Sequence, residues 1–310
     1  MSTKILLIAL VFAITLISTG CLKVSRDRKE EKPGVDYSQK YARSDKADTL
    51  NVYSVDGEDI NLIAEPRIYI KEWGDKYQEN YSQHQVLWDH IVNLFPMKDI
   101  SNISEFHILY IHDDEYSPID WALAEVDPQD ESSMRLLVDL PKSFTDIGEL
   151  NAGSLNPYLI RAMGKILLFS ADNTEPMSDY FTMASQEKKF AREECEPQFL
   201  TVYGCPLPDS PFDKYYQKFW SEIEKAKPLD ELAEPAQESY GEVMAFDDQF
   251  KDYFFKDVVA KTPEEDFIVA FEKFIYEEKP SDNSIPDQKI KFFYQYPELV
   301  EIREQVRVNL

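Results

Sequence analysis

Residues 106–140 read FHILYIHDDEYSPIDWALAEVDPQDESSMRLLVDL, and they set the fold class. Three apolar stretches, FHILYI at 106–111, WALAEV at 121–126 and MRLLVDL at 134–140, are separated by segments rich in Asp, Pro and Ser. Short strand-forming runs between such turn signals read as strands of a sheet. RIYIK, near residue 69, adds a fourth run. From Tyr77 to Phe95 the period changes, because Tyr77, Tyr81, Leu87, Ile91, Leu94 and Phe95 recur at helical spacing. That stretch predicts a helix packed on the sheet. The fold class expected is α+β, with a mixed or antiparallel sheet in the N-terminal half.

Beyond residue 150 the punctuation turns helical. Pro157, Pro211, Pro263, Pro286 and Pro297 stand at first-turn positions, where a missing N–H is no loss. Ser210-Pro-Phe-Asp213 and Thr262-Pro-Glu-Glu265 have the form of capping boxes, the second with the preferred Glu. Phe267, Ala270, Phe271, Phe274 and Ile275 then fall on one buried stripe. Residues 172–208, rich in Glu, Pro and Asp, read as a long irregular connection. The layout expected is one domain over 61–310, sheet-rich over 61–150 and helical over 151–310.

The N-terminus has a different character. Lys4 precedes a predominantly apolar run from Ile5 to Ile17, followed by small residues and Cys21. A positive start, a short apolar region and small residues at a cut are the marks of a secretory signal. The run is too short to span a bilayer, because a hydrocarbon core of about 30 Å takes roughly twenty apolar residues. Residues 1–20 are therefore expected to be removed. Ser18-Thr19-Gly20-Cys21 resembles the bacterial lipobox, which implies lipid on Cys21 and an extracytoplasmic protein held at the cell membrane or the outer membrane. Several acyl chains anchor firmly where one alone is marginal. Lys23 to Lys32 carries five cations and three anions, and nothing strongly apolar clusters before residue 60, so residues 21–60 read as a flexible tether. Its cations suit anionic headgroups or simple solvation equally.

Acidic residues outnumber basic ones by 58 to 33, a formal charge of -25, which opposes a nucleic-acid partner. With Cys21 lipidated, Cys195 and Cys205 remain, and an oxidising compartment favours a disulfide over two buried thiols. His84 and His90 are six apart, and His107 and His112 five apart, so neither pair shares a face for chelation. His112-Asp113-Asp114-Glu115 concentrates oxygen donors at a turn, either a weak calcium site or a solvated hairpin loop. With nine glycines, the chain has no glycine-rich phosphate loop and no nucleophile elbow.

Several segments together carry a resemblance: WALAEVDPQDESSMRLLVD, LIRAMGKILLF, the Gly204-Cys205 before KYYQKFW, TPEEDFIVAFEKFI and FYQYPELVEIR. Their order is similar to that of exported bacterial zinc-binding metallopeptidases of the gluzincin-like family. The resemblance implies a zincin-like fold in which a first helix carries H-E-x-x-H, two imidazoles one turn apart on zinc with the glutamate as general base. At those places this chain has Arg161, Ala162 and Lys165, and Gly164 alone remains of the common HEFGH form. Arg and protonated Lys offer no lone pair to a metal, and Ala accepts no proton from water. The third ligand would come from PEEDF, where Glu265 matches best, although Glu265 is also the N3 residue of the Thr262 capping box. Arg161 and Lys165 are thus expected either to pair with Glu265 and Asp266, replacing a metal as the tie between two helices, or to stand as solvated surface cations.

The expectation is a lipid-anchored, catalytically degenerate metallopeptidase-like protein without a cofactor, serving to bind a peptide or envelope protein or to organise the envelope. The alternative is an active zinc peptidase with an atypical metal site. A small-solute-binding lipoprotein fits less well, since the two alternating βαβ halves of such proteins are missing.

Overall fold

The computed structural model describes residues 47–66, 74–111, 121–177, 179–180, 183–226, 250, 252–255 and 262–310. The expected signal, Cys21, RIYIK and the His112–Glu115 turn lie outside these residues.

Two strands, β1 (Ala47–Asp56) and β2 (Asp59–Ala64), form an antiparallel hairpin closed by Gly57 and Glu58. Gly57 takes φ 63°, the left-handed conformation that tight hairpin turns need and that glycine adopts without penalty. This corrects the reading of residues 47–60 as tether. Leu50 and Val52 of β1 are fully buried, so the folded region begins at least fourteen residues before position 61.

Helix α1 (Tyr81–Leu94) follows, starting four residues after Tyr77, which belongs to a short wide turn at Gly74–Gln78. Asn80 sets the start by accepting from the Gln83 N–H. Next come β3 (Ile103–Ile111), β4 (Ala122–Val126) and β5 (Met134–Asp139), at the places where the sequence predicts strands. The sheet order is β2-β1-β3-β5-β4, with β3 and β5 parallel and the other neighbours antiparallel. Every residue of β5 is buried, as a two-faced central strand requires.

Helix α2 (Ala152–Leu168) begins five residues before Pro157, which lies inside it rather than in its first turn. Pro157 is still close to the helix start, so its missing N–H costs one intrahelical bond and leaves the main length intact. Residues 172–208 are less irregular than expected. They hold β6 (Thr174–Pro176), α3 (Ser185–Cys195) and β7 (Gly204–Pro206), and β6 pairs antiparallel with β7. A Cys195–Cys205 disulfide ties the end of α3 to β7.

The remaining helices are α4 (Pro211–Phe219), α5 (Ser221–Ala226), α6 (Pro263–Tyr276), α7 (Ile285–Phe293) and α8 (Pro297–Asn309). Pro211, Pro263 and Pro297 are first residues and Pro286 a second one, as predicted. Ser210 and Thr262 cap by accepting from Asp213 N and Glu265 N. The reciprocal half of a capping box is found instead at Ser284, whose N–H is accepted by Asp287.

One hydrophobic cluster joins both halves. It runs from Leu50, Phe106, Ile108, Leu136 and Val138 of the sheet to Leu87, Trp88 and Ile91 of α1. From there it continues through Leu159 and Met163 of α2 into Phe267, Phe271 and Phe274 of α6. The Trp88 ring sits 5.1 Å from that of Phe106, joining α1 to the sheet. The architecture is a mixed α+β fold in which α2 bridges the sheet and the helical half.

Candidate functional site

The residues singled out by sequence lie where α2 packs against α6. Gly164 is a point of close approach in that seam, because a Cβ there would stand 2.7 Å from Phe271 Cδ1. Its absence of a side chain is what lets the two helices approach. Ala162, one of the three altered motif positions, is buried in the hydrophobic cluster.

Arg161 reaches across the seam, but to a residue the sequence reading did not name. Its Nε donates to Glu272 Oε2 at 2.6 Å. Of the expected partners, Asp266 is engaged elsewhere. Glu265 is exposed, and its backbone N–H caps the helix by donating to Thr262 Oγ1 at 3.2 Å. Asp266, one residue on and rotated by a helical step, points into the core. Lys165 lies near Glu264, favouring the charged form of that carboxyl. Burial is the stronger influence and pushes Glu264 up to about 7, against the Val202 N–H that donates to its Oε1 at 2.6 Å. The structure therefore brings Arg161 and Lys165 to the acidic side of α6 with Glu272 and Glu264 as neighbours.

Asp266 anchors a second and wholly buried cluster. Its Oδ2 accepts from Lys289 Nζ at 2.6 Å, Tyr215 OH at 2.7 Å and Trp220 Nε1 at 2.8 Å. Its Oδ1 has no hydrogen-bond partner among the described residues. Lys289 also donates to the Tyr253 carbonyl at 2.7 Å, beneath the rings of Phe254 and Phe255. Burial pushes the Lys289 amine down, opposed by the adjacent carboxylate, and pushes the Tyr215 hydroxyl up. The sequence did hold a signal for Lys289, which stands four residues after Ile285 and three before Phe292 in the apolar stripe of α7.

The far face of the sheet carries a third group. Glu105 Oε2 lies 2.8 Å from His107 Nε2 and 2.9 Å from Arg135 Nε, while Arg135 Nη2 is 3.2 Å from Asp127. All four are buried, so His107 is a strand residue held by its contact with Glu105. His84 accepts from Tyr53 OH at Nδ1 and donates from Nε2 to the Tyr77 carbonyl, and burial pushes its imidazole down to about 4. His90 contacts Asn156 Oδ1 at 2.6 Å. Among the described residues, no group of three or more His, Cys, Asp or Glu side chains is placed to hold a metal ion.

No family model matches the chain, and neither a curated protein nor a solved structure is detectably similar to it.

Proposed function

We propose that this chain is a lipid-anchored extracytoplasmic protein whose domain, zincin-like in descent, binds a peptide or envelope protein and does not hydrolyse it. The observation that carries the reading is the occupancy of the H-E-x-x-H positions by Arg161, Ala162 and Lys165. These residues do not fit zinc. The two cations have no lone pair to offer, and a buried methyl group at 162 can neither orient nor deprotonate water. The Arg161–Glu272 bond gives the α2–α6 seam an ionic tie of the kind that makes a bound dication unnecessary.

A binding role draws support from β4, which ends the sheet order and packs on α2. An edge strand presents backbone donors and acceptors that an extended peptide can pair with. Attachment through Cys21 to the cell membrane or outer membrane would keep the domain at the envelope.

The test uses the full chain in membranes. Peptide hydrolysis is assayed with and without chelator, and the Cys21→Ala chain is fractionated alongside. The proposal expects no chelator-sensitive cleavage and release of the variant from the membrane fraction. Chelator-sensitive cleavage would establish the active zinc peptidase instead, and an unchanged membrane fraction would remove the anchor.

A further inference from the structure

The Asp266–Lys289 pair has an arrangement that an ion pair alone does not explain. Both side chains are fully buried. Three donors converge on Asp266 Oδ2, while Oδ1, equally buried, has no hydrogen-bond partner among the described residues. A buried carboxylate normally fills both oxygens, since an unmet acceptor in an apolar site is costly. The amide that these two groups would make has matching needs. Its carbonyl oxygen, Oδ2, would keep the Tyr215 hydroxyl and the Trp220 N–H, and its single N–H would keep the Tyr253 carbonyl. The orphan Oδ1 would be gone.

We propose that Lys289 and Asp266 condense after folding into an intramolecular amide that links α7 to α6. Transfer of one proton within the pair gives a neutral amine and a carboxylic acid. Lys289 Nζ then attacks Asp266 Cγ, and the negative charge that develops on Oδ2 is held by Tyr215 OH and Trp220 Nε1 in the manner of an oxyanion hole. The Cγ–Oδ1 bond breaks. Of the three ammonium protons, one stays on the amide nitrogen and two depart with Oδ1 as water. No oxidant, reductant or further reactant is needed. The burial of Lys289, which pushes its amine down, favours the nucleophilic form.

Peptide mapping of the purified full chain tests this. The reduced protein is cut with trypsin together with a glutamate-specific protease, which severs the chain at Lys273 and Glu277 between the two residues. The expected product is a branched peptide, lighter than its two components by one water, whose fragmentation joins Asp266 to Lys289. Asp266→Asn should yield the same branched peptide with loss of ammonia, and Lys289→Arg should yield none. Recovery of a linear peptide ending at Lys289 as the main species from the folded wild-type chain would overturn the proposal. A water loss confined to the Asp266 peptide, without a branch, would overturn it as well.

Discussion

Gly164→Ala separates two explanations of Gly164, a remnant of the proposed motif or a residue of the helix seam. If Gly164 were only a remnant, alanine should stabilise α2, because Ala exceeds Gly in a helix interior by about 1 kcal/mol. The seam predicts the opposite. The new methyl would stand 2.7 Å from Phe271 Cδ1 and 3.0 Å from Cε1, well inside the contact distance of two carbons. Phe271 has little room to yield. It is 1% exposed, with the rings of Phe274 and Phe293 at 6.2 and 5.6 Å. Overpacking of this kind costs about 1–3 kcal/mol, so after the helix gain the net loss is up to about 2 kcal/mol. In a domain of this size each kcal/mol lowers Tm by about 2–4 °C, which puts the expected drop at up to about 8 °C. Thermal and urea unfolding of both proteins would measure it. A stability raised by about 1 kcal/mol in Gly164→Ala, the full helix gain, would refute the close approach of α2 and α6 and, with it, the structural role assigned to this glycine.

Three further outcomes follow from the buried groups. Lys289→Met removes the nitrogen held at Asp266 and leaves its carboxyl buried without it, which should cost about 3–5 kcal/mol in urea unfolding; a loss under about 1 kcal/mol would contradict the burial described. His84 is held neutral, so the unfolded chain takes up a proton first as pH falls. Stability should therefore decline between pH 6.5 and about 4, by about 3 kcal/mol, and the His84→Gln protein should lack that part of the slope in melts across this range. Replacing Cys205 by Ser opens the loop closed with Cys195 and should lower stability by about 3 kcal/mol in the chain-entropy view; reducing agent should then have no further effect on the variant.

The sheet was legible where composition and period agreed. WALAEV alternates, as a strand at the edge of the sheet does, and MRLLVDL, apolar but for Arg135 and Asp139, lacks that alternation, as a strand buried on both faces does. The β1–β2 hairpin was not read, because Asp48, Asn51, Ser54, Asp56 and Asp59 give residues 47–60 the polarity of a tether. Asp56-Gly57 was the available signal, a turn pair with Val52 and Val55 before it and Ile60 and Leu62 after it. Proline marked the starts of α4, α6, α7 and α8, since its fixed φ and missing N–H are local properties. Charge pairing is not local. Arg161 was assigned the acidic start of α6, but its partner is Glu272, two turns further along, because the offset of two packed helices depends on side-chain shape at Gly164 and Phe271. Asp266 was placed at the seam for the same reason, and only the rotation of α6 shows that it faces Lys289.

Zinc content bears most directly on the proposal that Arg161, Ala162 and Lys165 hold no metal. The full chain, purified after growth with added zinc and dialysed without chelator, would be analysed for metal by elemental mass spectrometry. Zinc well below one equivalent per chain, unchanged in an Arg161→Met protein, is the expected result. One tightly held equivalent, lost together with peptide cleavage on chelation, would contradict it.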